Sequence, residues 1–232
     1  MSGTDITITT PDGTMGGYLA APGSGKGPGL VVIQEIFGVN KVMRDLADGY
    51  AARGYFALVP DLFWRLTPGV QLTDKTKEEW DQAFALMNRF DPDSGVKDIQ
   101  SSIDFLRAHK GCTGKIGDVG YCLGGFLAYL AATRTNTDAS VGYYGVNIQK
   151  FLGEAKNINR PLMLHIAGKD SYTPPDAQKQ IIDGLKGNAH VTIHVYPQMD
   201  HAFARAGGEH YDHASAELAN GRTATFFRQH LS

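Results

Sequence analysis

The sequence predicts a single open α/β sandwich, with a mostly parallel central sheet and helices on both faces. Three observations carry that prediction. Short strand-like runs alternate with longer segments of helical spacing, as they do when crossover helices join parallel strands. Leu30–Gln34 is a short β-branched run of the kind that forms a buried strand. The chain has 232 residues, 42% hydrophobic and 20% charged, with no internal repeat, low-complexity block or long linker. One domain spanning 1–232 accommodates that length.

The elements follow in order. Ile6–Thr10 and Met15–Ala20 flank Pro11-Asp12-Gly13-Thr14 and read as a β-hairpin, because Asp-Gly tolerates the positive φ of a tight turn. Ala21–Pro28 is a Gly/Pro loop before the strand Leu30–Gln34. Val42–Arg53 has helical spacing and stops at Gly54, a helix-ending residue. Phe56–Val59 is a strand closed by Pro60-Asp61, and Lys75–Phe90 and Val96–Ala108 are helical, the second with Ile99, Ile103 and Leu106 on one face. Strands are expected at Lys115–Val119, Ala139–Tyr143, Leu162–Ile166 and Val191–Tyr196. Helices are expected at Gly125–Thr133, Pro175–Leu185 and His213–Gln229.

Composition removes several function classes. Lys+Arg 22 against Asp+Glu 24 gives a net charge of -2, which argues against broad nucleic-acid binding, since that needs a basic face against phosphates. No apolar stretch approaches the ~20 residues that cross a bilayer. Two cysteines, Cys112 and Cys122, do not make a disulfide scaffold. MSGTDITITT lacks the basic start and apolar run of a signal peptide. The expectation is a cytoplasmic protein with free thiols. No phosphate loop or dinucleotide fingerprint is present, so no cofactor is expected. The oligomeric state is open, and a monomer is compatible with the sequence.

Gly120-Tyr121-Cys122-Leu123-Gly124 lies between an expected strand and an expected helix. This is the nucleophile-elbow pattern with cysteine in the usual serine position. The turn is sharp, so glycines two residues either side avoid side-chain clashes. The helix that follows points its N-terminus at the sulfur, which favours the thiolate. The competing reading is a small buried hydrophobe, the usual fate of a free cysteine. Cys112 has no such context and reads as a loop or strand-entry thiol.

A nucleophile needs a base, and the base needs an orienting group. Asp170 follows the strand Leu162–Ile166, and His201 follows Val191–Tyr196, so both belong at the sheet edge that carries Cys122. The chain order of nucleophile, acid and histidine is the one this elbow uses. Asp200 is the weaker acid candidate, because sequence neighbours rarely reach each other's ring nitrogen. His165 and His194 lie within strands and read as packed or surface residues. His210 and His213 have i,i+3 spacing, but no further ligand spacing supports a metal site and none is expected. The loop after the first buried strand, Gln34-Glu35-Ile36-Phe37-Gly38, would supply the Ile36 N–H to an oxyanion hole, and Leu123 the other. Glu35 reads either as a solvated loop acid or as a proton acceptor for Cys122.

These motifs resemble the dienelactone hydrolase family of the α/β-hydrolase superfamily. The resemblance rests on Gln34-Glu35-Ile36-Phe37-Gly38-Val39, Gly120-Tyr121-Cys122-Leu123-Gly124-Gly125, Gly168-Lys169-Asp170 and His201-Ala202-Phe203-Ala204-Arg205. It covers nearly the whole chain and implies an α/β-hydrolase fold with carboxymethylenebutenolidase-like activity. It further implies that Cys122 is the nucleophile, His201 the base and Asp170 the orienting acid. Glu35 would hold the resting cysteine as a neutral thiol, protecting it from oxidation. The implied substrate is a small lactone or enol ester bearing a carboxylate, as in aromatic-compound breakdown. Arg205 would pair with that carboxylate, and Phe37, Phe84 and Tyr144 would line the pocket. Two positions depart from members acting on dienelactone. Ala202 stands where they have serine, and Lys75 and Lys77 are the only cations where they carry a second arginine. The alternatives are an esterase with another small substrate, a non-catalytic small-molecule binder on the same fold, and redox sensing by Cys122.

Overall fold

The computed structural model describes residues 3–232. Eight strands form one sheet in the order β1-β2-β4-β3-β5-β6-β7-β8: β1 Thr4–Thr10, β2 Gly13–Ala20, β3 Gly27–Ile33, β4 Phe56–Pro60, β5 Cys112–Tyr121, β6 Ala139–Tyr143, β7 Leu162–Ala167 and β8 Val191–Tyr196. The helices are α1 Lys41–Ala52, α2 Lys77–Arg89, α3 Pro92–Ala108, α4 Leu123–Arg134, α5 Pro175–Leu185 and α6 His213–Leu231, with a 3-10 helix at Ile148–Asn157. The chain forms two compact units, Met1–Asp118 and Val119–Ser232, whose boundary falls inside β5. Among the described residues no helix is long and apolar enough to cross a membrane.

In the first unit β1 pairs antiparallel with β2, β2 antiparallel with β4, and β3 parallel with β4. The hairpin forms where expected, but its two-residue loop is Pro11-Asp12, because Thr10 pairs with Gly13. Proline excludes φ > 0 from the loop, and Gly13 takes φ 147 as the first residue of β2 instead. The Asn40 side chain caps α1 by accepting the Met43 N–H, and Gly54 beyond its C-cap takes φ 100. α3 begins earlier than Val96. Asp91 accepts the Asp93 and Ser94 N–H groups as its N-cap, with Pro92 in the first turn.

In the second unit β6, β7 and β8 are parallel, pairing Ser140 with Leu162 and Leu162 with Val191. Side chains alternate across a strand, so consecutive residues show what covers each face. At Gly142 an added Cβ would meet the Gly125 carbonyl of α4, whereas the next residue, Tyr143, bonds Asn220 and Thr223 of α6. The two helices therefore cover opposite faces. Leu123–Thr133 of α4 is buried throughout, so the helix shows apolar residues all round instead of a stripe.

Candidate active site

The second unit gathers its chemical groups on segments leaving the C-terminal ends of its strands, where ligand sites of open α/β sheets form. Cys122 follows β5, Tyr144 follows β6, Asp170 follows β7 and His201 follows β8. Cys122 has φ 57 and ψ -114, a backbone conformation that L-residues rarely hold. Two bonds fix it, the Cys122 N–H to the Tyr143 carbonyl (3.1 Å) and the Phe126 N–H to the Cys122 carbonyl (3.2 Å). The turn is so tight that a Cβ on Gly120 would overlap the Gly124 carbonyl. The Cys122 side chain makes no capping hydrogen bond to α4.

The loops bearing Asp170 and His201 are tied together. Gly168 N–H donates to the Tyr196 carbonyl (2.9 Å) and Lys169 N–H to the Met199 carbonyl (2.8 Å). A Cβ at Gly168 would lie 2.6 Å from Pro197 Cα, so glycine is what lets the loops touch. Asp170 and His201 are both buried. His201 Nδ1 donates to Asp170 Oδ2 (2.7 Å), which leaves Nε2 for the hydrogen bond that His201 shares with Cys122. Burial works against a charged imidazole here. The charge of a thiolate at Cys122, the Asp170 and Cys122 hydrogen bonds and the Asp170 charge together outweigh it, and His201 is pushed up to about 10.

Asp170 has a second use. Its Oδ1 accepts the Tyr172 N–H (2.8 Å) and the Thr173 N–H (3.3 Å), so both carboxylate oxygens are engaged. Tyr144, buried and at φ 39, sets its ring edge-on to His201 with centroids 5.1 Å apart. Tyr172, which sequence reasoning did not single out, faces His201 in the same way at 4.9 Å while remaining 49% exposed. Arg205 is half-buried in a turn closed by Arg205 N–H to the Ala202 carbonyl (2.9 Å). Ala202 takes φ 63. Leu123 is the first residue of α4, where backbone N–H groups lack partners within the helix.

Glu35, Ile36 and Phe37 lie in the first unit, on the loop after β3, and all three are buried. Phe37 packs edge-on against Trp80 (4.9 Å), which stacks on Phe84 (5.6 Å). His165 is a packed residue, as expected. Its Nδ1 meets Tyr196 Oη at 2.9 Å and its Nε2 meets Thr223 Oγ1 at 3.0 Å. Asp200 does not reach the imidazole of His201 by its carboxylate in any bond of this network. Its Oδ1 accepts the His201 backbone N–H (2.7 Å) instead. His210 precedes α6 and His213 begins it, so the pair does not share a helical turn.

The dienelactone hydrolase family model matches residues 15–231. A chain from Azospirillum brasilense assigned as a carboxymethylenebutenolidase is 52% identical over 231 residues, covering 98% of this chain and 99% of the relative. The carboxymethylenebutenolidase of Pseudomonas putida is 37% identical over 222 residues, covering 95% and 94%. A Klebsiella pneumoniae subsp. pneumoniae structure assigned as a dienelactone hydrolase superimposes with a TM-score of 0.88 at 26% identity, over 98% of each chain. The chain belongs to the dienelactone hydrolase family and is a carboxylic ester or lactone hydrolase.

Proposed function

We propose that this hydrolase opens a small lactone or enol ester bearing a carboxylate, of the dienelactone type, through an acyl-cysteine intermediate. The observation that carries the reading is His201 held between Asp170, at 2.7 Å, and Cys122. The Cys122 thiolate attacks the carbonyl carbon, and the electron pair moves to the oxygen. The Leu123 N–H at the start of α4 stabilises that oxyanion. As the tetrahedral adduct collapses, the C–O bond breaks and the His201 imidazolium gives its proton to the departing oxygen. Neutral His201 then takes a proton from water, whose oxygen attacks the thioester, and the acid leaves as Cys122 and His201 return to their starting forms. Asp170 holds the imidazole in the tautomer that each step requires.

Arg205 pairs with the substrate carboxylate, for which a guanidinium fork is suited. Tyr144 forms the wall beside His201. Before attack, Glu35, which keeps the resting cysteine a neutral thiol, takes the Cys122 proton as substrate binds and returns it after turnover; this role, that of Ile36 as a second oxyanion donor and that of Phe37 as a pocket residue rest on their sequence motif. The same reading places the enzyme in the breakdown of aromatic compounds.

The test is hydrolysis of dienelactone followed by ultraviolet absorbance, with wild type beside Cys122→Ala and Cys122→Ser. Wild type is expected to consume the lactone, Cys122→Ala to lose turnover by at least ~1000-fold with its fold intact, and Cys122→Ser to keep a fraction. Full activity in Cys122→Ala would end the proposal.

A further inference from the structure

The turns that carry the site hang on one another in a staircase across the sheet. Cys122 follows β5, and its N–H donates to the Tyr143 carbonyl of the neighbouring β6 at 3.1 Å. Tyr144 follows β6, and its N–H donates to the His165 carbonyl of β7 at 2.8 Å. Gly168 follows β7, and its N–H donates to the Tyr196 carbonyl of β8 at 2.9 Å. Each carbonyl thus holds the turn that leaves the strand beside it. Two of these turns hold a residue in an unfavourable backbone conformation, Cys122 at φ 57 and Tyr144 at φ 39. Such conformations persist only where the surroundings over-determine them.

The side chains of Tyr143, His165 and Tyr196 are joined to α6 in one hydrogen-bonded chain. Tyr196 Oη lies 2.9 Å from His165 Nδ1, His165 Nε2 lies 3.0 Å from Thr223 Oγ1, and Thr223 Oγ1 lies 2.7 Å from Tyr143 Oη. The two ends fix its direction. Arg222 Nη1 donates to Tyr196 Oη at 3.2 Å, and Tyr143 Oη donates to Asn220 Oδ1 at 3.0 Å. A hydroxyl carries one proton. Tyr143 therefore accepts from Thr223, the Thr223 oxygen accepts from His165 Nε2–H, and Nδ1 is left to accept from Tyr196. The chain closes with a neutral imidazole protonated on Nε2. Burial holds His165 well below the ordinary histidine range and keeps that ring neutral. Tyr143, His165, Tyr196 and Thr223 are all buried, so water does not replace a missing member.

We infer that Thr223 is a positioning residue of the hydrolysis. Its hydroxyl links β6 to β7 and keeps the ends of those strands where their carbonyls hold Cys122 and Tyr144. Tyr144 in turn packs edge-on against His201 at 5.1 Å. Thr223 acts through Tyr143 and His165. The role rests on the proposed reading, in which Cys122 is the nucleophile.

Thr223→Val keeps the side-chain shape and removes the link, whereas Thr223→Ser keeps the hydroxyl. Steady-state kinetics on dienelactone and phenyl acetate are measured for both variants beside wild type and Cys122→Ala, at a temperature where circular dichroism shows each chain folded. In Thr223→Val kcat should fall about 10- to 100-fold, the effect of a small displacement of reacting groups, with KM changed less than about threefold. Thr223→Ser should keep kcat within about threefold of wild type. Long-range proton–nitrogen NMR spectra of wild type should show His165 protonated on Nε2. A folded Thr223→Val with the kcat of wild type would reduce Thr223 to a packing residue and overturn the assignment. An equal loss in Thr223→Ser, or a wild-type His165 protonated on Nδ1, would overturn it as well. Should Thr223→Val not fold, Tyr196→Phe breaks the same chain from the β8 side, and a lowered or an unchanged kcat there supports or overturns the role. Activity that survives in Cys122→Ala would instead refute the nucleophile, and the positioning role with it.

Discussion

Asp170→Asn is the substitution whose consequences the structure constrains most closely. In the wild type Oδ2 accepts from His201 Nδ1 at 2.7 Å, and Oδ1 accepts from the Tyr172 and Thr173 backbone N–H groups at 2.8 and 3.3 Å. An amide has one oxygen and one NH2. If its oxygen faces the backbone pair, the NH2 confronts the Nδ1–H. If its oxygen faces His201, the NH2 confronts two N–H donors. The site is buried, so water does not relieve either arrangement, and an unsatisfied buried donor costs about 1–3 kcal/mol. For a chain of this size that corresponds to a fall in Tm of about 2–12 °C. Catalysis should suffer more. An imidazole driven to the other tautomer presents N–H to Cys122, and the equivalent change in a catalytic triad costs about 10,000-fold, or about 5.5 kcal/mol at 1.36 kcal/mol per tenfold. The assay is kcat/KM on phenyl acetate, with the His201 titration followed by NMR. The imidazole should titrate below its wild-type value of about 10, because the Asp170 bond and charge are two of the causes that raise it. Activity within tenfold of wild type and an unmoved titration would refute the reasoning.

Two further outcomes test the scaffold. Burial, helped by His194 and the Arg222 charge, holds the His165 proton affinity well below its ordinary value, while the unfolded chain takes up that proton near pH ~6.5. The unfolded state then binds more protons, so stability should decline as pH drops below that point, by about 1.4 kcal/mol per pH unit for this one group. Urea denaturation at pH 7 and pH 5 should show a shallower decline in His165→Gln than in wild type, and equal declines would contradict the assignment. Gly120→Ala should destabilise the chain by roughly 1–3 kcal/mol or more, since its Cβ would overlap the Gly124 carbonyl, a backbone group and not the end of a flexible side chain. A melting curve matching wild type would show that the elbow has slack which the structure does not contain.

The alternation of strands and helices was readable because each buried strand is a short apolar run and each helix has turn residues at its ends. The expected and observed bounds of β6, β8 and α5 coincide. The differences have local causes. Asp91-Pro92 extends α3 by a turn because a side-chain cap and a proline at the start stabilise residues that carry no apolar periodicity. The segment Ile148–Asn157 was not anticipated, since a 3-10 helix repeats every three residues instead of every 3.6. It is held in part by tertiary contacts, the Phe126–Phe151 ring pair at 5.0 Å and the Tyr129 hydroxyl on the Phe151 carbonyl. At the site, the nearness of His201 to Asp170 followed from chain order, whereas Tyr172 left no mark in any motif. Its only signal was its place two residues after the acid, where an aspartate commonly accepts the backbone N–H two positions on.

The raised proton affinity of His201 has a consequence for the order of events in the proposed mechanism. The largest of its raising causes is a thiolate at Cys122, ahead of either contribution from Asp170. While that charge is present the imidazole holds its proton across the neutral range, and it cannot act as a base. Formation of the acyl-cysteine consumes the charge. Burial, which always opposes the imidazolium here, is then resisted by Asp170 alone. The proton becomes easier to surrender at the stage when the departing oxygen needs it, and the neutral ring that results is the base that water requires. Hydrolysis of the thioester restores the thiolate, and with it the affinity of His201 for the proton taken from that water. In the proposed mechanism the buried pair thus changes its own acid–base character through bond making at sulfur, with Asp170 holding the ring nitrogens in place throughout.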